Sequence, residues 1–123
     1  MKLHLTKTGN QNTFTGHGPG YVAVNGLHYE QALVVMAGQV RTDWNVSDFD
    51  ALTEAHFDYF LELKPEVLLL GTGNQQRFPH PRLYRRLIEA GIGIECMDTA
   101  AVCRTYSILV AEDRHVIAAV LMR

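Results

Sequence analysis

Apolar residues follow two rhythms along this chain, and the changes between them mark out its elements. Ala32-Leu33-Val34-Val35-Met36-Ala37 and Val67-Leu68-Leu69-Leu70 are unbroken apolar runs, the pattern of strands covered on both faces. Residues 92–97 and 115–121 read as two more strands. Between these runs the apolar positions recur at helical spacing. Phe57, Phe60 and Leu61, widened by Tyr59 and Leu63, share a face in a helix predicted over residues 47–63, with Thr53 as N-cap and Lys64-Pro65 as its stop. Leu83, Tyr84, Leu87 and Ile88 do the same in a helix that starts at Pro81 and closes at Gly91, leaving Arg82, Arg85, Arg86 and Glu89 facing away. Asp98-Thr99 caps a third helix, over residues 99–112. Its apolar residues lie nearly all round: Val102, Cys103, Tyr106, Leu109 and Val110 share a face, whereas Ala101 and Ile108 lie elsewhere. Two layers, or one layer and a partner, are needed to cover it.

The first third of the chain has a different texture. Residues 1–12 are mostly small and polar and are expected to form a loosely held arm. Thr15-Gly16-His17-Gly18-Pro19-Gly20 reads as a turn or irregular loop carrying His17. Tyr21-Val22-Ala23-Val24, then Asn25-Gly26, then Leu27-His28-Tyr29 is a hairpin signal, since Asn-Gly supplies the left-handed pair of a type I′ turn. From Leu33 to Met97 the order is strand, helix, strand, helix, strand, with crossovers long enough to make those strands parallel. The expected architecture is one α/β domain over residues 1–123: a mixed central sheet, helices packed on it, and an extra N-terminal β-hairpin.

Composition narrows the functional classes. The chain has 123 residues, 47% hydrophobic and 20% charged, enough apolar surface for one core and too much for a disordered tail. A formal net charge of -2 lacks the positive field of a nonspecific nucleic-acid binder. No apolar run reaches the roughly 18 residues of a membrane span, and the start has no signal-peptide core, so no membrane insertion and a cytoplasmic location are expected. Two cysteines without a CxxC spacing make neither a disulfide framework nor a zinc site.

Ligands of parallel sheets bind beyond the carboxyl ends of the strands, which here places Gly71-Thr72-Gly73 and Asp98-Thr99 at one candidate cleft. The two glycines allow close backbone approach, and the helix from Pro81 directs its positive end to the same region, near Arg77 and Arg82. These groups together could hold a small anion. No P-loop lysine follows, and the third glycine of a dinucleotide fingerprint is missing. Asp98 suits capping better than acid–base work, and Arg104 and Tyr106 are further candidates for ligand or partner contact. The six histidines show no metal-ligand spacing, and no nucleophile elbow is present, so no catalytic residue, metal or cofactor is assigned.

Taken in order, Leu68-Leu69-Leu70-Gly71-Thr72-Gly73, then Gly91-Ile92-Gly93-Ile94-Glu95-Cys96-Met97-Asp98-Thr99, then Arg104-Thr105-Tyr106-Ser107-Ile108-Leu109 resembles a small domain family of unknown biochemical activity. That family includes mitochondrial respiratory complex I assembly factor 3 and the adipogenesis-associated domain protein. Weaker likeness extends through Gly18-Pro19-Gly20-Tyr21, Asn25-Gly26 and Trp44 upstream and residues 112–119 downstream. The resemblance implies a three-layer α/β fold whose last strand, near residues 115–121, runs antiparallel to the others. It also implies a functional surface around Gly71, Thr72, Gly73, Asp98, Thr99 and Tyr106. Ser107 stands where the family usually has asparagine, and Asp113 where glycine commonly precedes Arg114. The expected function is a noncatalytic assembly or interaction factor with an unidentified protein partner; the alternative is a small-anion-binding protein or enzyme built on the Gly71-Thr72-Gly73 loop.

Overall fold

Each central strand buries both of its faces, and this explains the unbroken apolar runs. The computed structural model describes residues 11–122. Among them lie strands β1 (Phe14–Gly18), β2 (Tyr21–Val24), β3 (Leu27–Tyr29), β4 (Leu33–Met36), β5 (Gln39–Arg41), β6 (Val67–Thr72), β7 (Gly93–Met97) and β8 (Val116–Leu121). Three α-helices are interleaved: α1 (Glu54–Asp58), α2 (Arg85–Glu89) and α3 (Thr99–Ala111). The main sheet has the order β5-β4-β8-β6-β7, and β1, β2 and β3 form a second, antiparallel sheet. Leu33, Val35, Val67, Leu69, Ala118 and Val120 point to the layer that holds α3 and the small sheet. Val34, Leu68, Leu70, Ile117, Ala119 and Leu121 point to the opposite layer, with Trp44, Phe57, Phe60 and Leu87. The result is the expected single α/β domain of three layers.

Strand directions differ from expectation in two places. β8 is parallel to β6, with Val67 opposite Val116, and antiparallel only to β4, so the last strand does not run against the rest. The strand that does is β4, which the linear reading took as parallel. The cause is the tight β4–β5 hairpin, which reverses the chain at Ala37-Gly38 and makes β5 the strand from which the crossover to β6 departs. The direction of β8 follows from α3. Its 13 residues span about 20 Å, the length of a six-residue strand, and so return the chain to the amino end of β6.

The Asn25-Gly26 turn is as expected, with φ of 52° and 83°. The preceding segment is not a loop: residues 14–18 form β1, with His17 opposite Val22, and among the residues of that stretch only Gly20 has a positive φ, in the turn to β2. Gly16 and Gly18 instead keep the strand narrow beside Ala23 and Tyr21. Of the predicted arm, residues 1–10 lie outside the described residues. Asn12 is held firmly, donating from its backbone N–H to the Ala37 carbonyl (3.1 Å) and from Nδ2 to the Met36 carbonyl (2.9 Å).

Both helices of the second layer are broken. Two caps five residues apart, Asp48 and Thr53, start a 3-10 turn at Phe49–Ala51 and then the five-residue α1, where one helix over residues 47–63 was predicted. Past Pro81 the chain makes a 3-10 turn, leaves helical geometry at Tyr84 (φ −119°, ψ 19°), and re-enters as the five-residue α2. The third helix is unbroken and receives its two-sided cover: the main sheet on one side and, on the other, β1, whose Phe14 ring meets Tyr106 edge-on at 5.2 Å.

Gly71 sets how closely α3 lies on β6. A methyl group there would stand 3.2 Å from Thr99 Oγ1 and 3.3 Å from Val102 Cγ2, both fixed by their surroundings. Gly71→Ala is expected to lower stability by about 1–3 kcal/mol through overpacking, measured as an earlier urea midpoint with an unchanged denaturant slope.

Candidate functional site

The ends of β5, β6, β7 and β8 share one rim with the start of β4, and the two loops singled out in the sequence meet there. Gly73, at φ 86°, turns the chain out of β6. Its N–H donates to Thr99 Oγ1 (3.0 Å), its carbonyl accepts from the Thr99 N–H (2.9 Å), and the Thr99 hydroxyl donates in turn to the Leu121 carbonyl (2.9 Å). Three strand ends are thus joined at one buried hydroxyl. Asp98 caps α3 as expected, its Oδ1 accepting from the Ala101 N–H at 2.8 Å. The buried Thr72 hydroxyl accepts from the Arg77 N–H (3.1 Å) and donates to the Gln75 carbonyl, closing the next loop on itself. Gln76 Nε2 reaches the Cys96 carbonyl (3.1 Å) and covers part of the free edge of β7. The polar atoms of the junction are therefore paired within the chain, and what the rim offers outward is shape and the side chains around it.

That shape is a run of shallow, open hollows. One of about 260 Å³ lies between the β1–β2 turn and the Gly73–Asp98 junction, lined by His17, Pro19, Asn74 and Asp98. A second, about 240 Å³, lies between Thr72, Gln75, Arg77 and Met122. The largest, about 510 Å³, sits between Glu30-Gln31-Ala32 and Thr42–Ser47 and again touches Met122. Asn74 lines the first and second hollows and Met122 the second and third, so the three are neighbours along the rim and together make up its groove of linked hollows. Its far wall is pinned by His56. The ring accepts the Thr53 N–H at Nδ1 (3.0 Å), so Nε2 carries the proton that it donates to the Asn45 carbonyl (3.0 Å). Trp44 Nε1–H closes the same wall on the His56 carbonyl at 2.9 Å.

Of the sequence candidates, Gly71, Thr72, Gly73, Asp98 and Thr99 come together, and Arg77 joins them beside Thr72 with its guanidinium 5.4 Å over the Phe49 ring. Arg82, Arg104 and Tyr106 line none of these hollows. Arg82 is exposed on the 3-10 turn, and Arg104 is exposed on the outer side of α3. Tyr106 is fully buried two turns into α3, its O–H donating to the Asn12 carbonyl at 3.2 Å. The positive helix end expected from Pro81 is also small, because α2 starts at Arg85 and aligns few peptide dipoles. His17, Pro19, Asn45, Asn74 and Met122 were missed in the linear reading. Each reaches the rim by tertiary folding; the turn signal at Pro19-Gly20 was visible, but not where β1 and β2 would carry it.

Cys96 and Cys103 are free thiols, each pushed up to about 11 by burial, with Arg104 opposing slightly at Cys103. Burial raises the Tyr106 phenol further. These groups are held protonated, the opposite of an activated nucleophile. Among the described residues no group of three His, Cys, Asp or Glu side chains is placed to hold a metal ion, and no helix is long and apolar enough to cross a membrane.

Residues 14–121 match the family model described as a protein of unknown function, DUF498/DUF598. A Francisella tularensis protein called a 13 kDa major membrane protein is 30% identical over 104 residues, covering 84% of this chain and 85% of that protein. The mouse NADH dehydrogenase [ubiquinone] 1 alpha subcomplex assembly factor 3 is 34% identical over 82 residues, 65% of this chain; the aligned region is 44% of the assembly factor's length. The crystal structure of a Bordetella parapertussis protein superposes with a TM-score of 0.84 at 40% identity, covering 90% of this chain and 95% of that one.

Thr99→Val keeps the shape but leaves the Gly73 N–H and Leu121 carbonyl unpaired in a buried place. A loss of roughly 2–4 kcal/mol is expected from two such groups, with faster amide exchange at Gly73; Thr99→Ser is expected to restore most of it. The raised thiols and phenol also set a pH dependence. The neutral thiols stabilise the fold fully below their ordinary value of 9.0, and this is lost as pH rises through about 11, while the phenol's share begins to be lost only above its ordinary value of 10.0. Urea midpoints measured from pH 7 upward are expected to stay level and then fall above about pH 9, with a shallower fall in Cys103→Ala.

Proposed function

Because this chain belongs to the DUF498/DUF598 family of proteins of unknown function, we propose that it is a noncatalytic assembly or protein-interaction factor acting in the cytoplasm, with its rim groove as the surface that meets the partner. The observation that carries this reading is the groove: a set of neighbouring open hollows, the largest of the three about 510 Å³, with the polar groups of the central junction bonded to one another. Small-molecule sites enclose most of their ligand and direct a few unpaired polar groups at it. A shallow groove with a paired interior suits a polypeptide laid across it. The likeness to an assembly factor for NADH dehydrogenase supports the same class of function, through protein contacts.

The test is co-purification of the full chain from lysate of its own cells, with a double variant, Asn45→Glu with Asn74→Glu, alongside. Both positions are exposed, so the fold is expected to be kept. The wild type is expected to retain a defined set of proteins that the variant loses at least about tenfold, the scale of buried like-charge juxtaposition. Retention of nothing above the bait-free control, or equal retention by the variant, overturns the proposal.

A further inference from the structure

Charge in this molecule is segregated. Four of the eleven Lys and Arg residues, all arginines, fall within residues 77–86, and none of the thirteen acidic residues does; the rest of the chain is therefore distinctly acidic. The segment starts at the rim and leads through a 3-10 turn into α2. Arg77 lines a rim hollow, Arg82 sits on the 3-10 turn, and Arg85 and Arg86 open α2. Arg86 is neutralised by Asp58, 2.7 Å away. Among the described residues, Arg77, Arg82 and Arg85 have no carboxylate within ion-pair distance. Phe78, which follows Arg77 in sequence, is 71% exposed although it is the largest apolar residue of its loop, beside the buried Pro79.

We infer that residues 77–86 form a docking surface for an acidic polypeptide segment bearing an apolar side chain. This deepens the rim-groove reading and rests on it, naming the chemistry of the partner. Charge complementarity selects the occupant: three unpaired arginines repel a second copy of the same patch and attract carboxylates, which arginine holds in a bidentate fork. A segment carrying an exposed aromatic and unpaired arginines has the composition of an interface anchor, where aromatic residues and Arg are enriched and Lys is depleted. The acidic remainder of the chain repels an anionic lipid surface, so a polypeptide that contacts the patch alone is favoured over a membrane.

The probe is a peptide of alternating Glu and Leu residues, titrated into the isotope-labelled full chain, with an alternating Lys and Leu peptide and vesicles of phosphatidylserine and phosphatidylcholine as the other arms. Amide shifts confined to residues 77–86, removed by 0.5 M salt (a Debye length of roughly 4 Å) and weakened at least about tenfold in Arg82→Glu/Arg85→Glu, are expected with the acidic peptide alone. Phe78→Ser is expected to weaken binding without altering the salt dependence. Absence of those shifts, equal binding of the Lys peptide, or binding only to vesicles overturns the inference. The co-purification separates the two readings: a partner kept by Arg82→Glu/Arg85→Glu but lost by the rim variant removes this inference and leaves the rim proposal standing. No partner at all removes the rim proposal, and the titration then decides the patch by itself.

Discussion

The hydroxyl of Thr99 accepts from the chain leaving β6 and donates to the last carbonyl of β8, while its own backbone N–H returns to Gly73. With both ends of the hydroxyl used in a buried place, the start of α3 has one position relative to the sheet. The helix can occupy it only because Gly71 offers no side chain beneath Thr99 and Val102. Once the helix is seated, Val102, Cys103, Tyr106 and Val110 fall on the sheet, and Tyr106 is left to meet Phe14 and the Asn12 carbonyl. Tyr106 thereby joins Val22 and Val24 in tying the small sheet to the layer that the junction positions.

The same junction shapes what the molecule presents outward. Its donors and acceptors are satisfied internally, so the rim is stiff and its walls, not its backbone amides, meet solvent. The walls come from distant segments: the β1–β2 turn, the loop after β6 and the residues clamped by His56. A rigid groove assembled in this way loses little conformational entropy when a chain is laid across it. Arg77 brings positive charge to the rim beside Thr72, while the chain outside residues 77–86 is acidic.

The central strands were plain in the sequence because burial on both faces forces continuous apolar runs, whereas the glycine-rich β1 read as a loop; the Asn25-Gly26 turn was plain because few residue pairs adopt two left-handed conformations. Helix length was less legible: the apolar spacing around Phe57 and Phe60 continues through a point where Asp48 and Thr53 each cap a separate turn. Strand direction was not written locally at all. It depended on the tight reversal after β4 and on the length of α3, which compete only in three dimensions. The meeting of the Gly73 and Asp98 loops followed from crossover logic, but Tyr106, grouped with them by family resemblance, belongs to the core. Asp113 offers the converse case: it holds φ 65° at the position where the resemblance implies glycine, so that departure changes the residue and keeps the backbone.

β8 lies at the centre of the main sheet, yet among the described residues it is the last strand along the chain. During vectorial synthesis β4 and β6 must wait on the ribosome with two apolar, hydrogen-bonding edges facing each other across an empty slot. Closure is then a single insertion that satisfies both edges at once, so the domain passes from open to finished in one late event. An intruding strand from another nascent chain would find the same two edges until β8 emerges to fill them.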